Sequence, residues 1–194
     1  VTVTLSNGAT IAIGAGASSG TVSIPAPTDD VYVDAGNVSA TIVSVSGGSF
    51  ESLAVNAAPA VTSITDTIDT TTVSLTASPS VAEGGVIAYT ASLTSPADTA
   101  MTVTLSNGAT INIAAGASSG SANVPAPGDD VIVDAGNVSV SISTASGGNF
   151  ESLAINPAAA TTAITDTIDT TTVSLTASAS VAEGGTIAYT ASLT

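Results

Sequence analysis

Residues 1–94 and 101–194 carry the same sequence twice, offset by 100 positions. VTVTLSNGAT at residue 1 returns as MTVTLSNGAT at 101, and ITDTIDTTTVSLTAS at 64 returns at 164. Of the 94 aligned pairs, 72 are identical. Whatever one unit folds into must also suit the other, so the chain is a tandem array of one domain. A period of 100 is too long for a solenoid, whose units run to about 20–50 residues. It suits one small domain per repeat. A third copy would follow a counterpart of SPADTA (95–100). This register predicts two repeats interrupted within a module, a piece of something longer with both ends incomplete.

The unit reads as strands throughout. TTVSLTA (71–77) puts Val73 and Leu75 on one face, and VIAYTASL (86–93) does the same with Ile87, Tyr89, Ala91 and Leu93. This period of two marks a half-buried strand. MTVTLSNGATINI (101–113) holds two alternating runs around Asn107-Gly108, a dipeptide that favours a type I′ hairpin turn. SGSANV (119–124), GNVSVSIS (136–143) and a run near TTAIT (161–165) bring the unit to about seven strands. Small residues and Pro fill the connections, and no stretch has helical spacing. These signals predict an all-β fold of tandem immunoglobulin-like Greek-key β-sandwiches, cut within a module at both chain ends; a barrel is the alternative. The expected modules are an incomplete one over 1–69 lacking its first two strands, a complete one over 70–169, and the first two strands of a further one over 170–194.

Composition removes several chemistries. The chain has no Lys, Arg, His or Cys, fifteen Asp and Glu, and a net charge of −15. A Ser-His or Cys-His nucleophile pair is impossible, as is a lysine or arginine phosphate clamp. Cys/His zinc sites have no ligands. Nucleic acid and acidic lipid would repel such a chain, and no apolar run of 18 residues points to membrane insertion. Binding of hard cations through carboxylate oxygens remains favourable. The apolar 44% includes only five aromatic residues, so the core is thin and an additional staple is expected.

Sandwich topology gathers the acids at the module's ends. With strands alternating in direction, the loop 78–85, the loop 125–136 and the end of the last strand share one pole. That pole collects Glu83, Asp129, Asp130, Asp134, Asp166 and Asp169, while Asp98 and Glu151 fall at the other. Two carboxylates about 4 Å apart repel by roughly 4 kcal/mol at an effective dielectric of 20. Asp and Gly can simply solubilise loops, but here no basic side chain exists to offset the clustered charge. Calcium, which accepts six to eight oxygens in flexible geometry, is the expected counter-charge. Asp166 and Asp169 lie between modules, so an ion there would stiffen the joint. The equivalent acids of the first repeat are Asp29, Asp30, Asp34, Asp66 and Asp69, and Glu183 is the counterpart of Glu83.

VSLTASPSVAEGGVIAYTASLT, VTVTLSNGATI, PAPGDDVIVDAG and ITDTIDTTT resemble the extender repeats of giant calcium-dependent RTX adhesins, those of ice-binding marine bacterial adhesins included. The resemblance spans the whole chain. It implies tandem immunoglobulin-like modules with calcium in loops and linkers, exported by type I secretion to the surface of Gram-negative bacteria, where they carry a distant adhesive tip. Family calcium positions correspond here to Asp66 and Asp69, the DD-x3-D loop and the glutamate of VAEGG. It does not imply ice binding, since the regular rows of Thr or Asx for an ice-binding face are missing.

The interrupted ends carry their own expectation. Residues 1–66 lack the first two strands of a module, and 170–194 supply two strands and stop. A module about 40 Å long, at ~3.3 Å per strand residue, separates the pieces. Pairing between copies is therefore expected, with 170–194 of one chain completing 1–69 of the next and Glu183 joining Asp29, Asp30, Asp34, Asp66 and Asp69. Function is read as a calcium-rigidified spacer of a bacterial surface adhesin, extracellular and not an enzyme. The alternative is a carbohydrate- or surface-binding module, for which Tyr32, Tyr89 and Tyr189 are the only tyrosines available.

Overall fold

The computed structural model describes residues 1–194, and its regular structure is entirely β. The first repeat contributes β1 (Thr2–Leu5), β2 (Thr10–Ala12), β3 (Gly36–Ala40), β4 (Ile42–Ser46) and β5 (Ala60–Ile64). The central repeat runs through β6 (Thr70–Ala77), β7 (Ser80–Ala82), β8 (Val86–Leu93), β9 (Met101–Leu105), β10 (Thr110–Ile113) and β11 (Ser119–Pro125). It continues through β12 (Gly136–Val140), β13 (Ile142–Gly147), β14 (Ser152–Ile155) and β15 (Ala160–Thr165). The chain closes with β16 (Val173–Ala177) and β17 (Tyr189–Leu193).

In the central repeat the expected alternation becomes the packing. β6 buries Thr71, Val73 and Leu75, and β8 buries Ile87, Tyr89, Ala91 and Leu93. These strands pair antiparallel, Val73 with Leu93 and Ala77 with Tyr89, inside a sheet of order β11-β8-β6-β14. The facing layer is built from two three-stranded sheets, β12-β15-β7 and β10-β9-β13. It presents Met101, Val103, Leu105, Ile111, Ile113, Val140, Ile142 and Ile164 to the same core. The result is an immunoglobulin-like β-sandwich.

Several local features differ from the sequence reading. The run 136–143 is two strands, because the chain steps at Ser141 from pairing with β15 to pairing with β9. β7 lies within the connection read as a loop and pairs parallel with β15. β14 lies in a segment without alternation and is held by neighbours such as Asn156, whose N–H donates to the Val73 carbonyl at 2.9 Å. The turn at Asn107-Gly108 is not type I′, which needs positive φ at both central residues. Only Gly108 has one, 84°, and its N–H donates to the Leu105 carbonyl at 2.9 Å. With Leu105 N–H donating to Ala109 O at 2.8 Å, this is a three-residue loop with a bulge at the glycine.

The first repeat keeps one layer only. β1 sits between β2 and β4, and β3 pairs with β5. Residues 19–25 and 52–55 match β11 and β14 in sequence, yet form no strand. The reason is visible in the central repeat, where β11 takes its ladder from β8 and the edge strand β14 lies on β6. Residues 1–69 contain no counterpart of β6 or β8. At the other end, β16 and β17 pair in the register of β6 and β8, from Val173 with Leu193 to Ala177 with Tyr189.

Candidate metal centre

Three strand ends meet at one edge of the sheet β12-β15-β7. The parallel ladder between β7 and β15 ends with Ala82 opposite Thr165, so the next step sets Glu83 beside Asp166. The antiparallel ladder between β12 and β15 pairs Gly136 with Ile164, so two residues further out Asp134 faces Asp166. Neighbouring strands lie about 4.8 Å apart, and side chains at one ladder level cannot avoid one another. One carboxylate oxygen from each of Glu83, Asp134 and Asp166 lies within 4.8 Å of the others.

The loop geometry holds this arrangement. Glu83 N–H donates to the Thr165 carbonyl at 3.0 Å and Gly84 N–H to the Pro127 carbonyl at 2.7 Å. Gly85 N–H closes a turn onto Ala82 O at 3.1 Å. Gly84 stands at the third position of that turn with φ of 67°, where a side chain would be strained. A Cβ there would also come within 3.6 Å of Asp129 Cβ. Asp129 itself accepts a hydrogen bond from Thr167 Oγ1.

Glu83 is 7% exposed, and its Oε2 has no hydrogen-bond partner; Asp166 Oδ1 is likewise buried without one. A hydrogen bond shared with Asp134, burial, and the charges of Asp134, Asp166 and Asp129 push the Glu83 carboxyl up to about 7. Buried acceptors without donors are rare in folded proteins, and the chain has no cationic side chain to supply one. A divalent cation would satisfy both oxygens. Calcium–oxygen bonds of about 2.3–2.6 Å put opposite ligands about 4.6–5.2 Å apart, a span that the trio fits. The donor set is all hard oxygen, which suits calcium or magnesium and excludes zinc of the thiolate or imidazole kind.

The other sequence candidates separate into groups. Asp130 turns back on its own loop and accepts from Ile132 N–H at 2.7 Å, and Asp30 does the same for Tyr32 N–H at 2.8 Å. Asp169 is exposed beyond β15. In the first repeat Asp34 and Asp66 occupy the positions of Asp134 and Asp166 beside the β3–β5 ladder, and Ala35 N–H donates to Asp66 Oδ2 at 3.2 Å. The charge of Asp30, then burial, then the charge and hydrogen bond of Asp66 raise the Asp34 pKa. Glu183 is exposed, and no third carboxylate stands beside Asp66 in the way Glu83 stands beside Asp166.

Glu151 is the acid whose role the sequence reading missed. Expected at the far pole, it lines a small cavity of about 210 Å³ with Asp29, Asp30, Asp34 and Asp66. Its Oε2 accepts from Asp69 N–H at 2.7 Å, and its own N–H donates to the Val31 carbonyl at 3.1 Å. Beside it Phe150 stacks on Tyr32 with ring centroids 6.0 Å apart, and Val33 N–H donates to Asn149 O at 3.1 Å. Asn149 takes φ of 57°, a conformation Asn tolerates better than most residues. Residues 149–153 thus fold with the first repeat. The departure of Tyr32 from its counterpart Ile132 was the one available signal, an aromatic present in a single copy.

Of the tyrosines, Tyr32 is engaged in a ring contact with Phe150, Tyr89 is fully buried and Tyr189 is exposed. No curated protein and no solved structure matches the chain. The LapA domain matches residues 1–67 and again 69–167, one match for each turn of the repeat that builds the acidic edge. The chain belongs to the LapA domain family, named for LapA, a large adhesin of biofilm formation.

Proposed function

We propose that the protein is a calcium-rigidified spacer of a bacterial surface adhesin, acting outside the cell to hold a distant adhesive region away from the surface. One observation carries the calcium reading: Glu83, nearly inaccessible, keeps an unpartnered oxygen while its carboxylate lies within 4.8 Å of those of Asp134 and Asp166. An ion there would tie the ends of β7, β12 and β15 together and remove the repulsion that pushes up the Glu83 carboxyl. It would act on the segment 166–169 that leads out of the sandwich, and so limit bending where one module passes to the next. The division into a partial module (1–69), a whole one (70–169) and a trailing pair of strands (170–194) belongs to the same reading. Asp129, whose charge also acts on the Glu83 carboxyl, is the candidate for a fourth carboxylate, and the remaining oxygens would come from loop carbonyls or water.

Calorimetric titration of the metal-free chain with calcium tests this. Saturable binding that weakens roughly tenfold or more in Asp166→Asn supports the site, because ligand charge sets calcium affinity over several decades. Heat indistinguishable between the two proteins would refute it.

A further inference from the structure

We propose that residues 149–151 of the central repeat are a clasp that docks on loop 30–33 of the first repeat, and that this clasp joins the two repeats without metal. The partner it fits is the acidic loop of a neighbouring repeat of the same kind. Calcium plays no part in the contact.

Two backbone hydrogen bonds define it. Val33 N–H donates to the Asn149 carbonyl and Glu151 N–H to the Val31 carbonyl, each at 3.1 Å. They flank Tyr32 and Phe150, which form an antiparallel bridge. In a pair flanked this way, the N–H groups of the two residues point away from the partner and their side chains approach closely. Both consequences are met. Tyr32 N–H turns to Asp30 Oδ1 at 2.8 Å, and the two rings stack with centroids 6.0 Å apart and planes 26° from parallel. Aromatic pairs across strands favour this spacing.

The loop that delivers Phe150 is shaped by its own repeat. Gly147, Gly148 and Asn149 take successive φ values of 94°, 87° and 57°. A Cβ on Gly147 would meet the Ala100 carbonyl oxygen at 2.5 Å, and Asp98 N–H holds the Gly148 carbonyl at 3.1 Å. A left-handed residue other than glycine costs free energy and persists where its surroundings fix it, commonly at functional contacts. Here the left-handed run ends at Asn149, whose carbonyl meets Val33.

The clasp also grips the connection between the repeats. Glu151 Oε2 accepts from Asp69 N–H at 2.7 Å, and Thr70 Oγ1 donates to Ser152 Oγ at 3.2 Å. These oxygens find donors within the protein, whereas Glu83 Oε2 and Asp166 Oδ1 find none. That contrast separates a joint that holds by itself from a site that calls for a cation. Both sides of the contact also carry a residue that the other copy lacks. Tyr32 stands where the other copy has Ile132, and Asn149 where it has Ser49.

Amide exchange and nuclear Overhauser measurements on the full chain in excess chelator test the clasp. The expected result is a ring-to-ring Overhauser effect between Tyr32 and Phe150. The Val33, Glu151 and Asp69 amides should exchange about tenfold or more slowly than in an unstructured peptide. Phe150→Ala should return all three to peptide rates while the amides of β6 and β8 stay protected. Tyr32→Ile, which supplies the residue of the other copy, should keep the backbone bridge and its protection. Glu151→Gln, whose side-chain oxygen can still accept from Asp69, should keep it as well. Backbone relaxation should show the two repeats tumbling together in wild type and more independently in Phe150→Ala. A missing ring contact, peptide-rate exchange at Val33 in wild type, or protection untouched by Phe150→Ala overturns the docking. Tumbling identical in wild type and Phe150→Ala overturns its role as a joint. Protection that appears only with calcium, or that Glu151→Gln abolishes, overturns its independence of metal.

Discussion

Glu83 and Asp166 stand one step beyond Ala82 and Thr165, the last pair of a parallel ladder, with Glu83 N–H bound to the Thr165 carbonyl at 3.0 Å. The backbone thus forces two carboxylates together, and Asp134 arrives opposite Asp166 from the antiparallel side. Each acid alone is an ordinary loop residue. The ladder register makes them a trio, and the absence of any basic side chain leaves them without a counter-charge inside the protein.

Glu83→Gln should have opposite effects in two conditions. With chelator it removes one of the mutually repelling carboxylates, so the sandwich should melt a few degrees higher than wild type at pH 7.5. With calcium it removes a ligand, so the metal-induced rise in melting temperature should shrink by half or more. Thermal unfolding by circular dichroism reads both. A variant less stable than wild type in chelator would show that Glu83 is not held against its neighbours' charge.

The metal-free chain should lose stability as pH rises from about 4.5 to about 7. The Glu83 carboxyl is raised from 4.5 to about 7 in the folded state, so over that window the folded protein binds more protons than the unfolded one. Stability then falls with increasing pH. Asp34, raised from 3.8 by Asp30, burial and Asp66, acts in the same direction. Saturating calcium should abolish the slope above pH 6, because the ion takes the place of the proton. Urea titrations at pH 5 and 7.5 check this, and equal midpoints in chelator would count against it.

How much of this could be read from the sequence depends on where the information lies. The β6, β8 and β9 faces alternate cleanly, and each buried residue expected on β6 and β8 is buried. β14 and β7 were not legible, since three or four residues held by a neighbour's backbone leave no apolar period. The step at Ser141 was hidden because both halves of 136–147 carry small polar residues. Glu83, Asp134 and Asp166 were gathered from strand direction alone. Asp130, expected with them, and Asp30, expected with Asp34 and Asp66, each accept a hydrogen bond from their own loop, and Asp30 also lines the cavity shared with Asp34 and Asp66. Glu151 escaped because the preference that carries it to Asp69 and Val31 is a contact between segments 82 and 120 residues apart.

Two tyrosines of identical sequence setting should respond differently to the same change. Tyr89→Ala empties a fully buried position in the sandwich and should cost about 3–5 kcal/mol, as large aromatic truncations do. Tyr189→Ala removes an exposed ring from β17 and should leave the unfolding of the β6–β15 sandwich within about 0.5 kcal/mol of wild type. Denaturant unfolding under dilute conditions distinguishes them.

The stacked pair Tyr32 and Phe150 should hold residues 149–153 against the first repeat. A double-mutant cycle with Tyr32→Ala and Phe150→Ala should return a coupling of about 0.5–1.5 kcal/mol, with faster amide exchange at Val33 and Glu151. Additive single effects would mean that the rings touch without contributing.

The most direct test of the account is the melting temperature of the 194-residue chain in millimolar calcium and then in excess chelator, at one pH and protein concentration. Calcium bound at Glu83, Asp134 and Asp166 predicts a rise of several degrees or more with the metal, reversed by the chelator and largely lost in Glu83→Gln. A melting temperature indifferent to calcium would contradict the metal centre and leave an acidic adhesin sandwich stabilised by its core alone.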